Sequence, residues 1–139
     1  MKREILFRGK RRDNGDWICG DLLQDVESGI CAIVSYVNLG GNIRDLSEIC
    51  IFPVIPETVG QYTGLTDKNG TKIFGGDIVQ AFECIYVIMW DSVRAMFYLR
   101  DPISRVSADF YNYFGSDLTV ISNIHDDPEL LGGDPNDQM

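Results

Sequence analysis

The sequence predicts a mainly β fold with minor α structure, and three observations support this. Short apolar runs alternate with turn residues along most of the 139-residue chain. Two Asn-Gly pairs, at residues 14–15 and 69–70, each lie between such runs, which is the strongest short-range signal of a β-hairpin. Only residues 127–129, Asp-Pro-Glu, have the composition of a helix start. Strands should therefore outnumber helices in a chain of ordinary single-domain length.

The first part of the chain predicts a hairpin followed by two further strands. Residues 5–8 and 17–23 flank the first Asn-Gly turn and form the hairpin. Residues 30–37 are β-branched and end in a glycine-rich loop, which indicates a third strand. Residues 49–55 are apolar but contain a proline, which lacks an amide donor. This segment is therefore confined to an edge strand, a bulge or an extended connection.

The second part predicts another hairpin, a meander, a last strand and a helix of about one turn. Residues 109–116 are aromatic but contain turn residues, so they are an ordered loop or a poor helix. We expect a single domain over residues 1–131, with lobes at about 1–56 and 57–131, and an acidic mobile tail at 132–139. The strands are predicted at residues 58–65, 71–74, 78–82, 84–90, 95–99 and 118–124.

The charge of the chain is unevenly placed. The net charge is -9, yet residues 1–12 hold six basic groups against a single acidic one. An acidic body repels phosphate backbones, so a nucleic-acid-binding role would depend on Arg8, Lys10, Arg11 and Arg12. The same four residues also fit a solvated hairpin edge, where charge discourages aggregation between strands. The sequence leaves both interpretations open.

Composition and spacing exclude several classes of protein. The apolar runs are far shorter than a membrane span, and the amino terminus has no apolar signal-peptide core, so we expect a cytoplasmic protein without a membrane partner. The four cysteines are widely spaced and only one histidine accompanies them, which favours buried or half-buried thiols over a disulfide or a metal site. The glycines fit neither phosphate-loop pattern. We therefore predict no metal and no cofactor.

Two polar side chains are candidate site residues. Asp77 follows two glycines, where a carboxylate either braces a loop through nearby amides or contacts a ligand. His125 lies beside Asp126 and Asp127 and is a conceivable general base, although a histidine at such a corner is more often solvated or capping. The sequence assigns no catalytic residue.

Aromatic residues dominate the candidate interface. Trp90 ends a run that is apolar on both faces, which predicts a strand buried on both sides, either in a core or in a subunit contact. We favour the core for Trp90. A second group places apolar rings among turn residues, which favours an interaction surface. Its members are Phe110, Tyr111, Tyr113 and Phe114.

A longer motif gives the chain a family resemblance. Its central residues are Glu57-Thr58-Val59-Gly60-Gln61-Tyr62-Thr63-Gly64-Leu65, Asp67-Lys68-Asn69-Gly70, Ile73-Phe74 and Gly76-Asp77-Ile78-Val79. Flanking residues that extend it are Phe7-Arg8, Trp17, Gly20, Trp90-Asp91, Asn123-Ile124-His125 and Asp127-Pro128-Glu129-Leu130-Leu131. On these residues the chain resembles the YopX family of phage and prophage proteins. It departs from the family pattern at Gly75 and Ser122, which affects local loop shape.

The resemblance implies a mainly β fold, with amino-terminal hairpins and a small SH3-like barrel in the carboxy-terminal half, encoded by a bacterial phage or prophage. It supplies no catalytic residues. Our first hypothesis is a non-catalytic accessory protein that binds a protein partner or assembles with itself. The second is a nucleic-acid-binding module that uses the basic cluster of residues 8–12. The third is a small hydrolase that uses His125 with Asp77 or Asp126.

Overall fold

The mainly β prediction is confirmed by the structure, a computed structural model that describes residues 3–35, 49–110 and 117–131. These residues form two antiparallel sheets, with 3-10 helices at Pro56–Thr58 and Pro128–Leu131. The strands are β1 (Phe7–Lys10), β2 (Trp17–Gln24), β3 (Cys31–Ser35), β4 (Cys50–Val54), β5 (Gly60–Thr66), β6 (Lys72–Phe74), β7 (Asp77–Ala81), β8 (Cys84–Asp91), β9 (Met96–Arg100), β10 (Ser107–Asp109) and β11 (Thr119–Asn123).

Backbone contacts divide the chain into two compact units, Met1–Tyr62 and Thr63–Met139. In the first unit the strands follow the order β4-β3-β2-β1-β5. The predicted first hairpin is present, because β1 pairs with β2 from Phe7 opposite Gly20 to Lys10 opposite Trp17. The proline-containing strand β4 ends the order, as its composition predicts. Its proline carbonyl still accepts a hydrogen bond from the Arg12 amide, at 3.0 Å.

The core of the first unit is small. Ile33 and Val54 are fully buried and pack with Cys31. Gly20 is required beside this core, because a side-chain carbon there would overlap the Val34 carbonyl of β3. Glycine therefore allows β2 and β3 to approach in this register.

The second unit is a meander. Strands β7 to β10 follow one another, and β11 returns to pair with the free side of β7, which gives the order β10-β9-β8-β7-β11. The second predicted hairpin, β5 and β6, turns at Gly70, whose φ of 81° suits glycine. Strand β6 and the meander contribute side chains to one core within the second unit. Its fully or almost fully buried members are Ile73, Val79, Ala81, Ile88, Leu99 and Leu118.

The structure departs from the sequence-based expectations in several places. Strand β10 is present, although the sequence does not predict it. Trp90 is not a core residue, because 53% of its surface is exposed. Of the four thiols only Cys31 is buried, so the expected burial is wrong for the other three. In the described residues both strand orders are open-ended, so the SH3-like barrel stays a prediction. The glycine loop after β3 and the tail at 132–139 lie outside the described residues.

Candidate functional site

The most exposed aromatic side chain in any described strand is Trp90, near the end of β8. It lies directly opposite Phe97 of β9, and the two rings meet edge to face with centroids 4.9 Å apart. Ile88, two residues earlier on the same face of β8, is 1% exposed. The apolar face of the sheet thus continues beyond the core into solvent, and Trp90 marks this continuation.

Phe110 directly follows β10. That strand pairs with β9 from Ser107 opposite Arg100 to Asp109 opposite Tyr98. Phe110 is half-buried and packs against the core of the second unit, as does Phe97. We call Trp90, Phe97 and Phe110 the aromatic row. The other predicted interface residues, Tyr111, Tyr113 and Phe114, lie outside the described residues.

An ion-pair network braces the strands that carry the aromatic row. Arg94, in the turn between β8 and β9, donates to Asp91 at 2.8 Å and to Asp109 of β10 at 3.2 Å. The Arg94 guanidinium holds the pKa of the Asp91 carboxyl below its ordinary value, and the Arg94 and Val93 amides add to this effect. The network links the β8–β9 turn to β10 at the protein surface.

The predicted basic cluster is divided by the structure. Arg8 and Lys10 project from the same face of β1, because they are two residues apart. Both lie over the ring of Trp17 on β2, with the Arg8 guanidinium carbon 4.7 Å and the Lys10 Nζ 5.4 Å from its centroid. We call these three residues the cation-aromatic face. It offers two positive charges and an indole, a combination that suits anionic or nucleic-acid ligands.

The other two basic residues have different surroundings. Arg11 lies over the ring of Phe52, at 4.4 Å, and donates to Asp13 at 2.6 Å. The Arg12 side chain is exposed, while its backbone amide bonds to β4. Arg11 therefore differs in its contacts from Arg8 and Lys10, which lie together over Trp17. Arg11 instead covers an aromatic ring of its own unit.

Asp77 is almost completely buried, at 1% exposure. Its Oδ2 accepts a hydrogen bond from the Phe74 amide, at 2.7 Å, across the turn that contains Gly76. The φ of Gly76 is 89°, a value that favours glycine. This geometry is that of a loop brace, one of the two roles that the sequence suggested for Asp77.

A second buried carboxylate, Asp67, was not singled out by the sequence. Its Oδ1 accepts the amides of Asn69 and Thr71, and its Oδ2 accepts the Val120 amide, each at 2.9 Å. Burial alone would raise the pKa of Asp67, but the Val120, Thr71 and Asn69 amides outweigh it and lower the pKa. Asp67 thereby ties the β5–β6 turn to β11.

His125 belongs to a turn organised by Asn123. The Asn123 Oδ1 accepts the amides of His125 and Asp126, at 3.0 and 2.9 Å, and its side-chain amide donates to the Asp126 carboxylate. Next to it, the Ser122 hydroxyl donates to Asp127. The polar groups of this corner thus shape the turn that leads from β11 into the terminal 3-10 helix.

Three described residues other than glycine, Phe82, Ala95 and Arg105, have the left-handed backbone conformation that side chains disfavour. Phe82, between β7 and β8, has a φ of 57° and is 81% exposed. Left-handed backbone costs a residue with a side chain about 1 kcal/mol or more. Since Phe82 gains little burial in return, it lowers the stability of its own hairpin.

The described residues contain neither a metal-binding cluster nor a membrane-spanning helix. In residues 3–35, 49–110 and 117–131 there is no group of three His, Cys, Asp or Glu side chains arranged to hold a metal ion. Within the same residues, none of the helices has the length and apolarity needed to span a bilayer.

Comparison with known proteins gives a family and similar solved structures. A family model described as YopX protein matches residues 6–132. The crystal structure of protein EF1440 from Enterococcus faecalis is similar, with a TM-score of 0.55 and 21% sequence identity. The alignment covers 94% of this chain and 100% of that chain, and at this identity it concerns the fold. No curated protein matches the sequence.

Proposed function

The chain belongs to the YopX protein family, and we propose that it is a non-catalytic accessory protein of a bacterial phage or prophage, acting in the cytoplasm by binding a protein. The partner is another protein or a second copy of the chain. The observation that carries this proposal is the 53% exposure of Trp90 within the aromatic row. Tryptophan is enriched among the residues that dominate binding energy at protein interfaces.

The position of Trp90 supports a binding role over a structural one. Exposure of a large ring is unfavourable in the isolated protein, and Trp90 contributes to folding mainly through its contact with Phe97. The neighbouring Arg94 network joins the turn after Trp90 to β10. A rigid aromatic anchor on a sheet loses little conformational entropy on binding, which favours affinity.

The polar candidates support a non-catalytic role. The carboxylates of Asp67 and Asp77 accept backbone amides, and Asn123 organises its own turn. These contacts use the side chains as braces of the second unit. We further propose that residues 1–131 form one functional domain, and that the β7–β11 meander corresponds to the SH3-like part of the family fold.

Native purification from the bacterial host tests the proposal, with nuclease treatment in every preparation. We expect a stoichiometric protein partner, or a native mass above that of one chain, for the wild-type protein. Trp90→Ala should lose this species. Phe82→Ala should keep it, because it removes an even more exposed aromatic ring from a turn outside the aromatic row. A wild-type preparation with the mass of one chain, or a partner that Trp90→Ala retains, would contradict the proposal.

A second candidate function is nucleic-acid binding through Arg8, Lys10, Arg11 and Arg12. The cation-aromatic face favours it, since Arg8 and Lys10 lie together on one side of β1. Binding through phosphate contacts weakens steeply as salt is added. The test measures binding of a fluorescent single-stranded oligonucleotide to the wild type and to the double variant Arg8→Gln, Lys10→Gln. If the oligonucleotide binds and the double variant reduces both its affinity and its salt dependence, nucleic-acid binding is favoured over protein binding. Binding that is indifferent to salt would remove it.

A further inference from the structure

The aromatic row lies in an acidic part of the molecule. Residues 63–139 hold 12 acidic and five basic residues, so this unit carries most of the net charge of -9. One of the five basic residues, Arg94, lies in the turn that follows Trp90, and its charge is shared between Asp91 and Asp109. A partner that approaches the aromatic row therefore meets a negative field.

Two aromatic rings of the first unit are covered by cations of the same chain. In the first unit Arg8 and Lys10 lie over Trp17, and Arg11 lies over Phe52. Trp90 differs from these rings. Its ring contact is with Phe97, and no Lys or Arg from the described parts of the chain lies over it. The most exposed strand aromatic thus has a free ring surface in the more acidic unit.

We propose that the aromatic row binds a basic segment of a partner protein, and that a Lys or Arg side chain of this segment lies over Trp90. The inference rests on the proposed binding function and adds the chemistry of the partner. The apolar stem of such a side chain covers the indole while its charge stays near solvent. The ring quadrupole and the acidic surroundings both attract the cation.

The Arg94 network prepares the site for this occupant. Asp91 and Asp109 hold Arg94 by contacts at 2.8 and 3.2 Å, which directs its guanidinium to them. Hydrogen bonding to Arg94 lowers the pKa of Asp91, so this carboxylate stays charged at neutral pH. Two carboxylates against one guanidinium leave the network with a net negative charge beside the row. An acidic segment would be repelled, and a neutral one would gain only apolar contact.

Three synthetic peptides with the full-length protein test the inference. The first alternates arginine with glycine, the second replaces arginine by citrulline, its neutral isostere, and the third replaces it by glutamate. Calorimetry measures affinity, and the indole N–H signals in NMR spectra locate the binding site. Trp90→Leu identifies the Trp90 signal by its loss and removes the ring. Trp17→Phe is the matched control, because it changes the other tryptophan of the chain.

We expect the arginine peptide to shift the Trp90 signal and to bind more weakly as salt is added. The citrulline and glutamate peptides should bind far less. Trp90→Leu should weaken the arginine peptide about tenfold, while Trp17→Phe leaves its affinity unchanged. Equal binding of the citrulline peptide, or arginine-peptide binding that Trp90→Leu does not alter, would overturn the inference.

The outcomes separate this inference from the proposed function. Native purification could show a partner that depends on Trp90 while the arginine peptide does not bind at Trp90. In that case the proposed basic partner segment is wrong, and the proposed protein-binding surface is retained. If neither experiment shows any dependence on Trp90, both are wrong.

Discussion

Substitution of Asp67 should destabilise the second unit more than any other single carboxylate-to-alanine change in a turn. Asp67 is 5% exposed and joins the β5–β6 turn to β11 through three amide hydrogen bonds. Asp67→Ala removes the acceptor for all three. The Val120 amide is the critical one, because it belongs to a half-buried strand residue 53 positions away in the sequence.

The expected cost follows from the exposure of the three donors. Asn69 and Thr71 are exposed, so their amides can bond to water after the substitution, at about 0.5–1 kcal/mol each. The loss of a charged acceptor for the Val120 amide costs about 1.5–3 kcal/mol. Together these give about 2.5–5 kcal/mol, which lowers the melting temperature of a unit of this size by more than about 10 °C.

The assay is chemical unfolding, followed by the fluorescence of Trp90 in a Trp17→Phe background so that the signal comes from the second unit. Asp101→Ala is the control. Asp101 also accepts two amides, those of Ile103 and Ser104, but in an exposed turn. Its substitution should cost about 1 kcal/mol or less.

The pH dependence adds an independent check. Since the folded pKa of Asp67 is lowered, the stability that it contributes is fully present above its ordinary pKa of about 3.9 and is lost as the pH falls through the folded value. The difference in unfolding free energy between the wild type and Asp67→Asn should therefore be constant near neutrality and shrink in acid. An Asp67→Ala cost no larger than that of Asp101→Ala would refute this account, as would a difference that grows in acid.

Three further predictions concern single residues. Gly20→Ala should destabilise the first unit by about 3 kcal/mol, because the added carbon overlaps the Val34 carbonyl, and thermal unfolding measures this loss. Phe82→Asn should instead stabilise the second unit by about 1 kcal/mol and raise its melting temperature, since asparagine tolerates a left-handed backbone. An unchanged melting temperature would show that the backbone conformation of Phe82 costs no stability. Arg94→Gln should raise the pKa of Asp91 towards its ordinary value in an NMR titration, and an unmoved pKa would contradict the cause assigned here.

Local chemistry made the turns of this protein predictable. Gly15 and Gly70 have φ values of 75° and 81°, and each follows an asparagine in a hairpin turn. The Asn-Gly pair by itself predicts this backbone conformation. The proline of β4 is equally informative, because its missing amide restricts the strand to the end of the order.

Features that depend on distant partners were not predictable. Asp67 resembles an ordinary turn aspartate, and nothing near it in the sequence indicates the amide of Val120. Strand β10 is three residues long and owes its conformation to pairing with β9. The candidate site shows the same limit. Alternation assigns Trp90 correctly to the face of Ile88, but it does not tell where the core ends along that face.

The most direct test of the central claim places a photo-crosslinking amino acid at position 90 and, separately, at position 82, in protein expressed in the bacterial host. Both positions are exposed and aromatic in the native chain. The account predicts a single crosslinked protein partner from position 90, resistant to nuclease, and no such product from position 82. Equal products from both positions, or no product from position 90, would contradict a docking surface at the aromatic row.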